Sequence, residues 1–458
     1  MTPGARLAAA IEVLQEIDRA PAPADAVMQS YFRNRRFIGS KDRAAIAEQV
    51  YGIYRRRSRI DWWLARAEMA PTPRSRVMAD QALDGASFDD LDSMFDGGKH
   101  RPAPLTDAER HAMRRIVGHT LDHPHQPEAV QAECPDWAVG PVKAALGEDW
   151  VAELAALNRP APLDLRVNVL LGDRKTARRE LSDAGIRAEP TPWSPWGLRV
   201  HGRPPLSASE PFKRGLVEVQ DEGSQLLAMM VEAQPGLQVV DFCAGAGGKT
   251  LAIAATMQNK GRIVATDVYA VRLDRAGQRL RRAGVHNVER RTLAGERDKW
   301  VKRHKGRFDR VLVDAPCSGT GTWRRNPDAK WGRAGPDLVE LVALQRSILD
   351  SAARLVRPGG RLIYGTCSLL REENEAQVEA FLAAHPDFAV VPVPEVWARA
   401  VGNRCPVPGP YLRLSPLQHG TDGFFAAVLQ RSGEAAEPEA EPDGAEAGGA
   451  EQGGQDEG

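Results

Sequence analysis

The apolar residues of the N-terminal region recur at helical spacing. RLAAAIEVLQEI shows this spacing first, and SKDRAAIAEQVYGIYRRRSRIDWWLAR repeats it after a capping signal at Ser40. Residues 82–105 are richer in Asp, Gly and Pro, and helical signals resume from about 106 to 157. The pattern predicts helices over 5–66 and 106–157, with an insertion or a mobile connection at 82–105.

Strand-like patterns replace the helical ones further along the chain. LDLRVNVLL, LRVHG and LVEVQD are typical of strands and DRKTARRELSDAG of a helix, so we expect a small α+β unit that ends near residue 215. From about 216, strands and helices alternate with glycine turns, which predicts an α/β domain with a doubly wound sheet. The expected divisions are 1–135 (helical), 136–215 (linker helices and the α+β unit), 216–431 (the α/β domain) and 432–458 (a tail).

The composition, 42% hydrophobic and 27% charged residues, is that of a soluble globular protein. No run of about eighteen apolar residues indicates a membrane span, and Glu and Asp interrupt the N-terminal segment where a signal peptide needs an apolar core. The five cysteines are odd in number and lack CxxC spacing, so we expect neither a disulfide framework nor a metal site. A reducing cytoplasm fits this cysteine usage, and we expect the protein to be a monomer.

The net charge of zero conceals an asymmetry along the chain. The tail from Ser432 to Gly458 has nine Asp or Glu residues and no Lys or Arg, so we expect it to be disordered. The rest of the chain has 61 basic and 52 acidic residues, a net charge of +9. This surplus mildly favours a polyanionic partner, although an ordinary solvated surface explains it equally well.

A glycine-rich turn follows the first strand of the predicted doubly wound sheet. In LQVVDFCAGAGGKTLAIAA a strand ends at Asp241, and the glycines let the backbone approach a ligand before a helix begins. The next strand ends at Asp267, whose carboxylate can bind both ribose hydroxyls of a nucleoside. The turn lacks GxGxxG, and GGKT lacks the spacing of a phosphate loop. S-adenosylmethionine therefore fits best and favours a methyltransferase, while a nucleotide enzyme and a non-catalytic fold stay open.

Two cysteines follow the next strands of this sheet. Cys317 lies in FDRVLVDAPCSGTG, three residues after Asp314, and Cys367 lies in GGRLIYGTCSLLREENEAQV. Because consecutive strands beyond the switch point lie side by side, we expect both thiols to face one pocket together with Asp314. Small buried cysteines are common in cores, but two of them at matching loop positions favour chemistry. Packing alone explains the other three: Cys134, Cys243 and Cys405.

A thiol beside a methyl donor suits methylation of a pyrimidine. Carbon 5 of the ring is too weak a nucleophile to take a methyl group unaided, but a thiolate that adds to carbon 6 activates it. Asp314 can meet the charge that develops at N3. The carbon 5 proton must leave before the enzyme is released, and a second thiol can assist. A free thiol is only slightly ionised at neutral pH, so the pocket must favour the thiolate. The residues alone do not say which cysteine attacks.

At these residues the chain resembles the RsmB/Nop/Sun family of RNA cytosine-5 methyltransferases. The resemblance rests on DFCAGAGGKT, ATD, DAPCSGTGTWRRNPDAKW, TCS followed by EEN, and HGTDGFF. LDLRVN and VQDEGSQLLA resemble the segment before that family's catalytic domain, and GSKDRAAIAEQVYGIYRR resembles the NusB-like RNA-binding domain of its bacterial rRNA members. The resemblance implies a doubly wound class I methyltransferase (Rossmann-like) sheet, preceded by an all-α NusB-like domain and a small α+β unit of ferredoxin or RRM type.

The resemblance also implies roles for individual residues. Cys367 would be the nucleophile, Cys317 would serve product release, and Asp314 would border both cofactor and base. Lys249 would help to orient the site. The residues that would bind S-adenosylmethionine are Cys243, Ala244, Gly245, Ala246, Gly247, Gly248, Lys249, Asp267 and Asp314.

One position departs from the family's pattern. The family usually has an acidic residue near the adenine, about six positions after an Asn-Val pair that is Asn287-Val288 here. The corresponding residue is Ala294. Glu296 and Asp298 are the candidates to replace the missing carboxylate.

Basic and aromatic residues near the thiols are candidates to hold RNA. Trp323, Arg324 and Arg325 follow Cys317 closely, and arginine and tryptophan can grip phosphates and stack on an extruded base. Four helical arginines share one face, a pattern more typical of a solvated surface: Arg272, Arg275, Arg279 and Arg282.

The leading hypothesis is methylation of carbon 5 of a cytosine in RNA, with small-subunit ribosomal RNA as the favoured substrate. The cofactor would be S-adenosylmethionine, and the reaction would pass through a covalent cysteine–cytosine adduct. Transfer RNA as the substrate is hardly excluded by the sequence. An RNA-binding assembly factor with a vestigial site is a hypothesis of a different class, which Ala294 leaves open.

Overall fold

The computed structural model describes residues 1–332 and 337–433. The tail predicted to be disordered spans 432–458. All of it except residues 432 and 433 lies outside the described residues. Within 1–332 and 337–433, no helix is both long enough and apolar enough to cross a bilayer.

The N-terminal region is helical, as its apolar spacing predicts. All but the last of its helices pack around one core, to which Leu7, Ile46 and Trp63 contribute. Side chains cap several helix starts: the hydroxyl of Thr106 accepts a hydrogen bond from the backbone N–H of Glu109, whose carboxylate accepts one from the N–H of Thr106. The helices are α1 (Pro3–Arg19), α2 (Ala24–Asn34), α3 (Ser40–Arg55), α4 (Arg57–Arg66), α5 (Pro73–Leu83), α6 (Phe88–Met94), α7 (Asp107–Arg114) and α8 (Glu128–Gln131).

The stretch 82–105 differs from the mobile connection expected from its Asp, Gly and Pro content. Ser87 and Asp90 cap α6 reciprocally, and Leu91 and Phe95 are buried in the same core as Leu7. These two apolar residues anchor the segment to the core. The prediction missed them because it relied on the overall Asp, Gly and Pro content of the segment. The alternative of a mobile connection is therefore wrong for this stretch, and that of an insertion stays a prediction.

Two further helices connect the N-terminal region to the rest of the chain. These are α9 (Asp136–Leu146) and α10 (Trp150–Asn158). Leu154 and Leu157 of α10 share a core with Trp323 and with Leu370, which lie near the two candidate cysteines in sequence. The linker helices therefore pack directly against the loops that follow the cysteines.

Within the described residues, the α+β unit contains a four-stranded antiparallel sheet in the order β2-β3-β1-β4. Its elements are β1 (Leu163–Val167), α11 (Arg174–Asp183), β2 (Ala188–Pro190), β3 (Gly197–Val200), α12 (Glu210–Lys213) and β4 (Val217–Val219). Leu165 of β1 and Leu181 of α11 lie in its own small core. The strand and helix predictions for this part of the chain are confirmed, but the sheet extends past the expected end near residue 215, because β4 pairs with β1.

The α/β domain is built on an eight-stranded sheet within the described residues, in the order β10-β12-β9-β8-β5-β6-β7, with β11 paired to β12. Strands β5 to β9 run parallel and β12 is antiparallel to β9. The strands are β5 (Gln238–Asp241), β6 (Arg262–Asp267), β7 (Val288–Thr292), β8 (Phe308–Asp314), β9 (Val356–Thr366), β10 (Phe388–Val391), β11 (Leu412–Leu414) and β12 (Phe424–Arg431).

The central strands of this sheet are buried on both faces, as is usual for parallel strands. Val240 and Val311 belong to one apolar core, whereas Val239 and Leu312 belong to the other. The predicted doubly wound sheet is confirmed. The helices of this domain are α13 (Glu222–Met229), α14 (Gly248–Thr256), α15 (Ala270–Arg282), α16 (Lys299–Arg303), α17 (Leu338–Ala353), α18 (Glu375–Ala384), α19 (Val393–Ala400) and α20 (Pro416–His419).

A close backbone contact ties the loop after β8 to the segment before β12. The N–H of Gly321 donates to the carbonyl of Cys367 at 2.9 Å, and the N–H of Gly423 donates to the carbonyl of Gly321 at 2.8 Å. A Cβ atom on Gly321 would lie 2.3 Å from the carbonyl oxygen of Gly423. A side chain at position 321 therefore cannot fit unless the two segments separate.

We expect Gly321→Ala to lower the free energy of unfolding by about 1–3 kcal/mol, because the added methyl group overpacks the contact. Urea denaturation followed by circular dichroism measures the change. Gly409→Ala is the matched control, since nothing lies within 4 Å of a Cβ atom there. Equal unfolding midpoints for the two variants would contradict the prediction.

Candidate active site

A cavity of about 720 Å³ opens at the carboxyl ends of β5, β6, β8 and β9. Each of these strands is followed by a loop that contributes side chains to its wall. Ten of the eleven residues that the resemblance assigns to cofactor binding or catalysis line the cavity: Cys243, Ala244, Gly245, Ala246, Gly248, Lys249, Asp267, Asp314, Cys317 and Cys367.

Gly247 belongs to the same turn but shapes it rather than lining the cavity. Its φ of 78° is in the left-handed region, and α14 begins directly after it. A Cβ atom at this position would lie 2.9 Å from the Cβ of Ala276 on α15. Glycine is required here both for the backbone conformation and for the close packing of the turn against α15.

Asp267 holds the glycine turn with one carboxylate oxygen and its own loop with the other. The N–H of Gly245 donates to Oδ2 at 2.9 Å, and the N–H of Tyr269 donates to Oδ1 at 2.8 Å. Each oxygen keeps a further lone pair. The side chain is therefore fixed in orientation and can still accept hydrogen bonds from a pair of vicinal hydroxyls.

Lys249 and Asp314 form an ion pair at the floor of the cavity. The ammonium Nζ of Lys249 donates to Oδ2 of Asp314 at 2.6 Å. Burial alone would lower the pKa of Lys249, but the charge and the hydrogen bond of Asp314 outweigh it, so that pKa lies above its ordinary value. Lys249 therefore brings a positive charge into the cavity.

The two cysteines meet in the cavity. Asp314 at the end of β8 pairs with Gly365 of β9, so the loops that follow these strands start side by side. The Sγ atoms of Cys317 and Cys367 are 3.5 Å apart. The hydrogen bond with Cys367, burial and the charge of Glu373 together raise the pKa of Cys317 well above its ordinary value.

The other cysteines take no part in this arrangement of thiols. Burial raises the pKa of Cys243, although its residue lines the cavity, and burial raises the pKa of Cys134 to about 11. The thiol of Cys405 donates to the carbonyl of Val407 at 3.1 Å. Among the cysteines, only positions 317 and 367 are brought into contact with each other in the described residues.

The two candidate replacements for the acidic residue at Ala294 differ in position. Glu296 lines the cavity, and its Oε1 accepts a hydrogen bond from the hydroxyl of Ser347 at 2.9 Å. Asp298 does not line it: its carboxylate caps α16 by accepting from the N–H of Trp300, and it also accepts from the N–H of Ala294. Of these two residues, Glu296 is the one that lines the cavity, together with Leu293 and Ile348.

Two of the three residues proposed to hold RNA are buried. The side chain of Trp323 is 1% exposed and packs between the linker helices and the loop after β9, while Arg324 is 6% exposed. Neither side chain is accessible to stack on a base or to bind a phosphate, so the prediction is wrong for both. The sequence places both near the reactive loop but does not show that α9 and α10 cover Trp323.

Arg324 instead belongs to a buried network of charges. Its guanidinium and that of Arg325 both pair with the carboxylates of Asp221 and Asp422. Arg325 lines the cavity and is partly exposed, so its role in holding RNA stays a prediction. The network joins the loop after β8, the start of α13 and the segment before β12.

The four arginines predicted to share one face of α15 divide into two groups. Arg272 and Arg275 are exposed, as a solvated face would be. Arg279 donates from Nη1 to the carbonyl of Ala246 at 2.7 Å and lies 3.4 Å from Glu218, which also pairs with Arg282. Arg279 therefore supports the glycine turn, a role that its helical spacing did not indicate.

Two acidic residues of the cavity wall received no role from the sequence. Asp221 and Asp422 both line the cavity next to Arg325. The motifs VQDEGSQLLA and HGTDGFF contain them, but their function depends on contacts between segments about 200 residues apart. The one sequence signal for them is the arginine pair in TWRRNP. Buried arginines need carboxylate partners, so this pair indicates that acidic residues lie nearby.

The cavity suits a nucleoside that carries a cationic sulfur. Asp267 can accept from ribose hydroxyls, Glu296 can accept from an exocyclic amine, and Leu293 and Ile348 offer an apolar wall for a purine ring. The glycine turn leaves room for close approach of the backbone. The residues present therefore fit S-adenosylmethionine.

Comparisons with known proteins agree with this fit. A family model described as 16S rRNA methyltransferase RsmB/F matches residues 228–430, and a model of the ferredoxin-like domain of RsmF/B-like methyltransferases matches residues 134–207. The ribosomal RNA small subunit methyltransferase B of Pectobacterium atrosepticum is 30% identical over 87% of this chain and 93% of its own length. That of Citrobacter koseri is 31% identical over 86% of this chain and 91% of its own.

Among solved structures, the crystal structure of PH0851 resembles most of this chain. It superposes with a TM-score of 0.76 and 27% sequence identity, covering 94% of this chain and 99% of its own. The similarity therefore extends through the N-terminal helices, the small sheet and the α/β domain.

We expect Trp323→Ala to lower the free energy of unfolding by about 3–5 kcal/mol, because the ring fills a core between the linker helices and the loops after β8 and β9. Urea denaturation measures this loss. Phe37→Ala, at an aromatic ring that is 81% exposed, should leave stability nearly unchanged. An unaltered unfolding midpoint for Trp323→Ala together with weaker RNA binding would restore the stacking role.

Proposed function

Because the chain belongs to the RsmB/F family of 16S rRNA methyltransferases, we propose that it methylates carbon 5 of a cytosine in small-subunit ribosomal RNA. It is a methyltransferase whose cofactor is S-adenosylmethionine. The proposal adds the methylated atom, the RNA substrate and a covalent route. The observation that carries it is the 3.5 Å approach of the Sγ atoms of Cys317 and Cys367, in the cavity that fits the cofactor.

Cys367 is the nucleophile in this proposal. When bound, S-adenosylmethionine supplies a methyl group on a positively charged sulfur. A Cys367 thiolate adds to carbon 6 of the cytosine, and the displaced electron pair lets carbon 5 attack that methyl group. Lys249 lies close enough for electrostatic interaction with Cys367 and can balance negative charge in the cavity. The proton that Cys367 gives up on becoming a thiolate passes through the carboxylate of Asp314 to N3, and Asp314 then accepts a hydrogen bond from the N3–H while the adduct exists.

Cys317 serves the release of the product. Its raised pKa, caused first by the hydrogen bond with Cys367 and then by burial, makes it a neutral thiol at the start of the reaction. Once the Cys367 sulfur is bonded to carbon 6, that hydrogen bond is lost and Cys317 can give its proton to water. The Cys317 thiolate then takes the carbon 5 proton. The electrons of that C–H bond form the C5–C6 double bond as the bond from carbon 6 to Cys367 breaks.

Two other functions remain as alternatives. Transfer RNA would be methylated by the same chemistry, and the names of the relatives are the reason to prefer ribosomal RNA. An assembly factor without activity would need neither paired thiols nor a cavity that fits a methyl donor. It predicts no binding of S-adenosylmethionine, whereas the proposed function requires it.

We expect Cys367→Ala to lower methyl transfer to RNA by at least about 1,000-fold, because no thiolate can then add to carbon 6. Cys317→Ala should instead accumulate a covalent protein–RNA adduct, visible on a denaturing gel, because the release step fails. Cys405→Ala, at a thiol outside the cavity, is the control. Retained turnover in the Cys367 variant, or an adduct in that variant alone, would contradict the assigned roles.

The open acidic contact at Ala294 gives a second prediction. We expect Glu296→Gln to raise the dissociation constant for S-adenosylmethionine about tenfold, because the ligand loses a charged hydrogen-bond acceptor. Isothermal titration calorimetry measures it. Asp298→Asn is the matched control, since Asp298 caps α16 and does not line the cavity. Equal affinities for the two variants would remove Glu296 from the site, and no binding by the unaltered protein would favour the assembly factor.

A further inference from the structure

A buried carboxylate lies behind the two cysteines. Glu373 is 0% exposed and lies in a short helical turn, Arg371–Glu373, between β9 and α18. It does not line the cavity and touches neither thiol by hydrogen bond. Its contacts run instead to the residues next to both cysteines.

Glu373 accepts hydrogen bonds from both cysteine loops at once. Ser318 follows Cys317, and it donates its N–H to Oε1 at 2.8 Å and its hydroxyl to Oε2 at 2.5 Å. Ser368 follows Cys367, and its hydroxyl also donates to Oε2. The buried carboxylate of Glu373 therefore holds together two loops that lie about 50 residues apart in the chain.

A second side chain completes this arrangement. Gln345 of α17 is fully buried, and its Nε2 donates to Oε1 of Glu373 at 3.0 Å and to the carbonyl of Pro316 at 2.9 Å. Pro316 directly precedes Cys317, so the loop is held on both sides of that cysteine. With four donors on its two oxygens, Glu373 is saturated as an acceptor.

The same carboxylate adds an electrostatic effect at one thiol. The charge of Glu373 contributes, after the hydrogen bond with Cys367 and burial, to the raised pKa of Cys317. A negative charge behind Cys317 opposes a second negative charge on its sulfur.

We propose that Glu373 is a positioning residue that holds the two cysteine loops at their working separation. The inference rests on the proposed function, since it assigns a support to that reaction. The two serines separate its actions. Ser318 connects Glu373 to the loop of Cys317, which serves product release. Ser368 connects it to the loop of Cys367, which attacks the base.

Glu373→Gln tests the inference. The amide keeps the size of the side chain, but it replaces one acceptor oxygen with an NH₂ group, which cannot accept the hydrogen bonds that the serines and Gln345 donate. We expect kcat to fall about 100-fold while the dissociation constant for S-adenosylmethionine stays within twofold. Glu379→Gln is the matched control, since Glu379 is an exposed glutamate on α18 paired with Arg371. Turnover of Glu373→Gln equal to that of Glu379→Gln would overturn the inference.

The serine variants give a readout that a general loss of structure would not produce. Ser318→Ala should accumulate the covalent protein–RNA adduct, and Ser368→Ala should slow its formation, each by about tenfold. These variants decide the matter if Glu373→Gln does not fold. The same change in adduct level in both serine variants would overturn the inference. The absence of any adduct, both with the unaltered protein and with Cys317→Ala, would instead overturn the proposed function itself.

Discussion

Parallel pairing of β8 with β9 is the constraint on which the site depends. The pairing of Asp314 with Gly365 starts two loops at the same edge of the sheet, and the cysteines follow at comparable distances along each loop. Because β5 and β6 end at this edge as well, the glycine turn and Asp267 face the same cavity. The thiols, the ion pair of Lys249 and the nucleoside-binding groups are therefore consequences of one register between neighbouring strands.

Much of this arrangement could be predicted from the sequence, because it depends on local signals and on a general rule of sheet topology. Strands that end in Asp241, Asp267 and Asp314 are recognisable from their apolar runs, and parallel strands bring their carboxyl ends to one edge. Periodicity likewise predicts the N-terminal helices. The choice of Cys367 over Cys317 as nucleophile was different, since it came from the resemblance to a family rather than from the residues.

The predictions that failed depend on contacts between distant segments. Trp323 and Arg324 look like RNA-binding residues by type and position, but α9, α10 and the carboxylates of Asp221 and Asp422 cover or pair with them. Leu91 and Phe95 anchor a stretch whose composition suggests a loop. The sequence shows Glu373 only as part of the EEN motif. Its positioning role could not be predicted, because it depends on two serines 50 residues apart that both contact its carboxylate. Tertiary packing decides these cases and leaves little local signal.

The most direct test of the account identifies the cysteine that bonds to RNA. A small-subunit ribosomal RNA fragment carrying 5-fluorocytidine and S-adenosylmethionine would be incubated with the unaltered protein, since fluorine on carbon 5 cannot leave as a proton and the adduct persists. Protease and nuclease digestion followed by tandem mass spectrometry locates the attachment. The account predicts a methylated, fluorinated cytosine on Cys367. Attachment at Cys317, or no attachment at any cysteine, would contradict it.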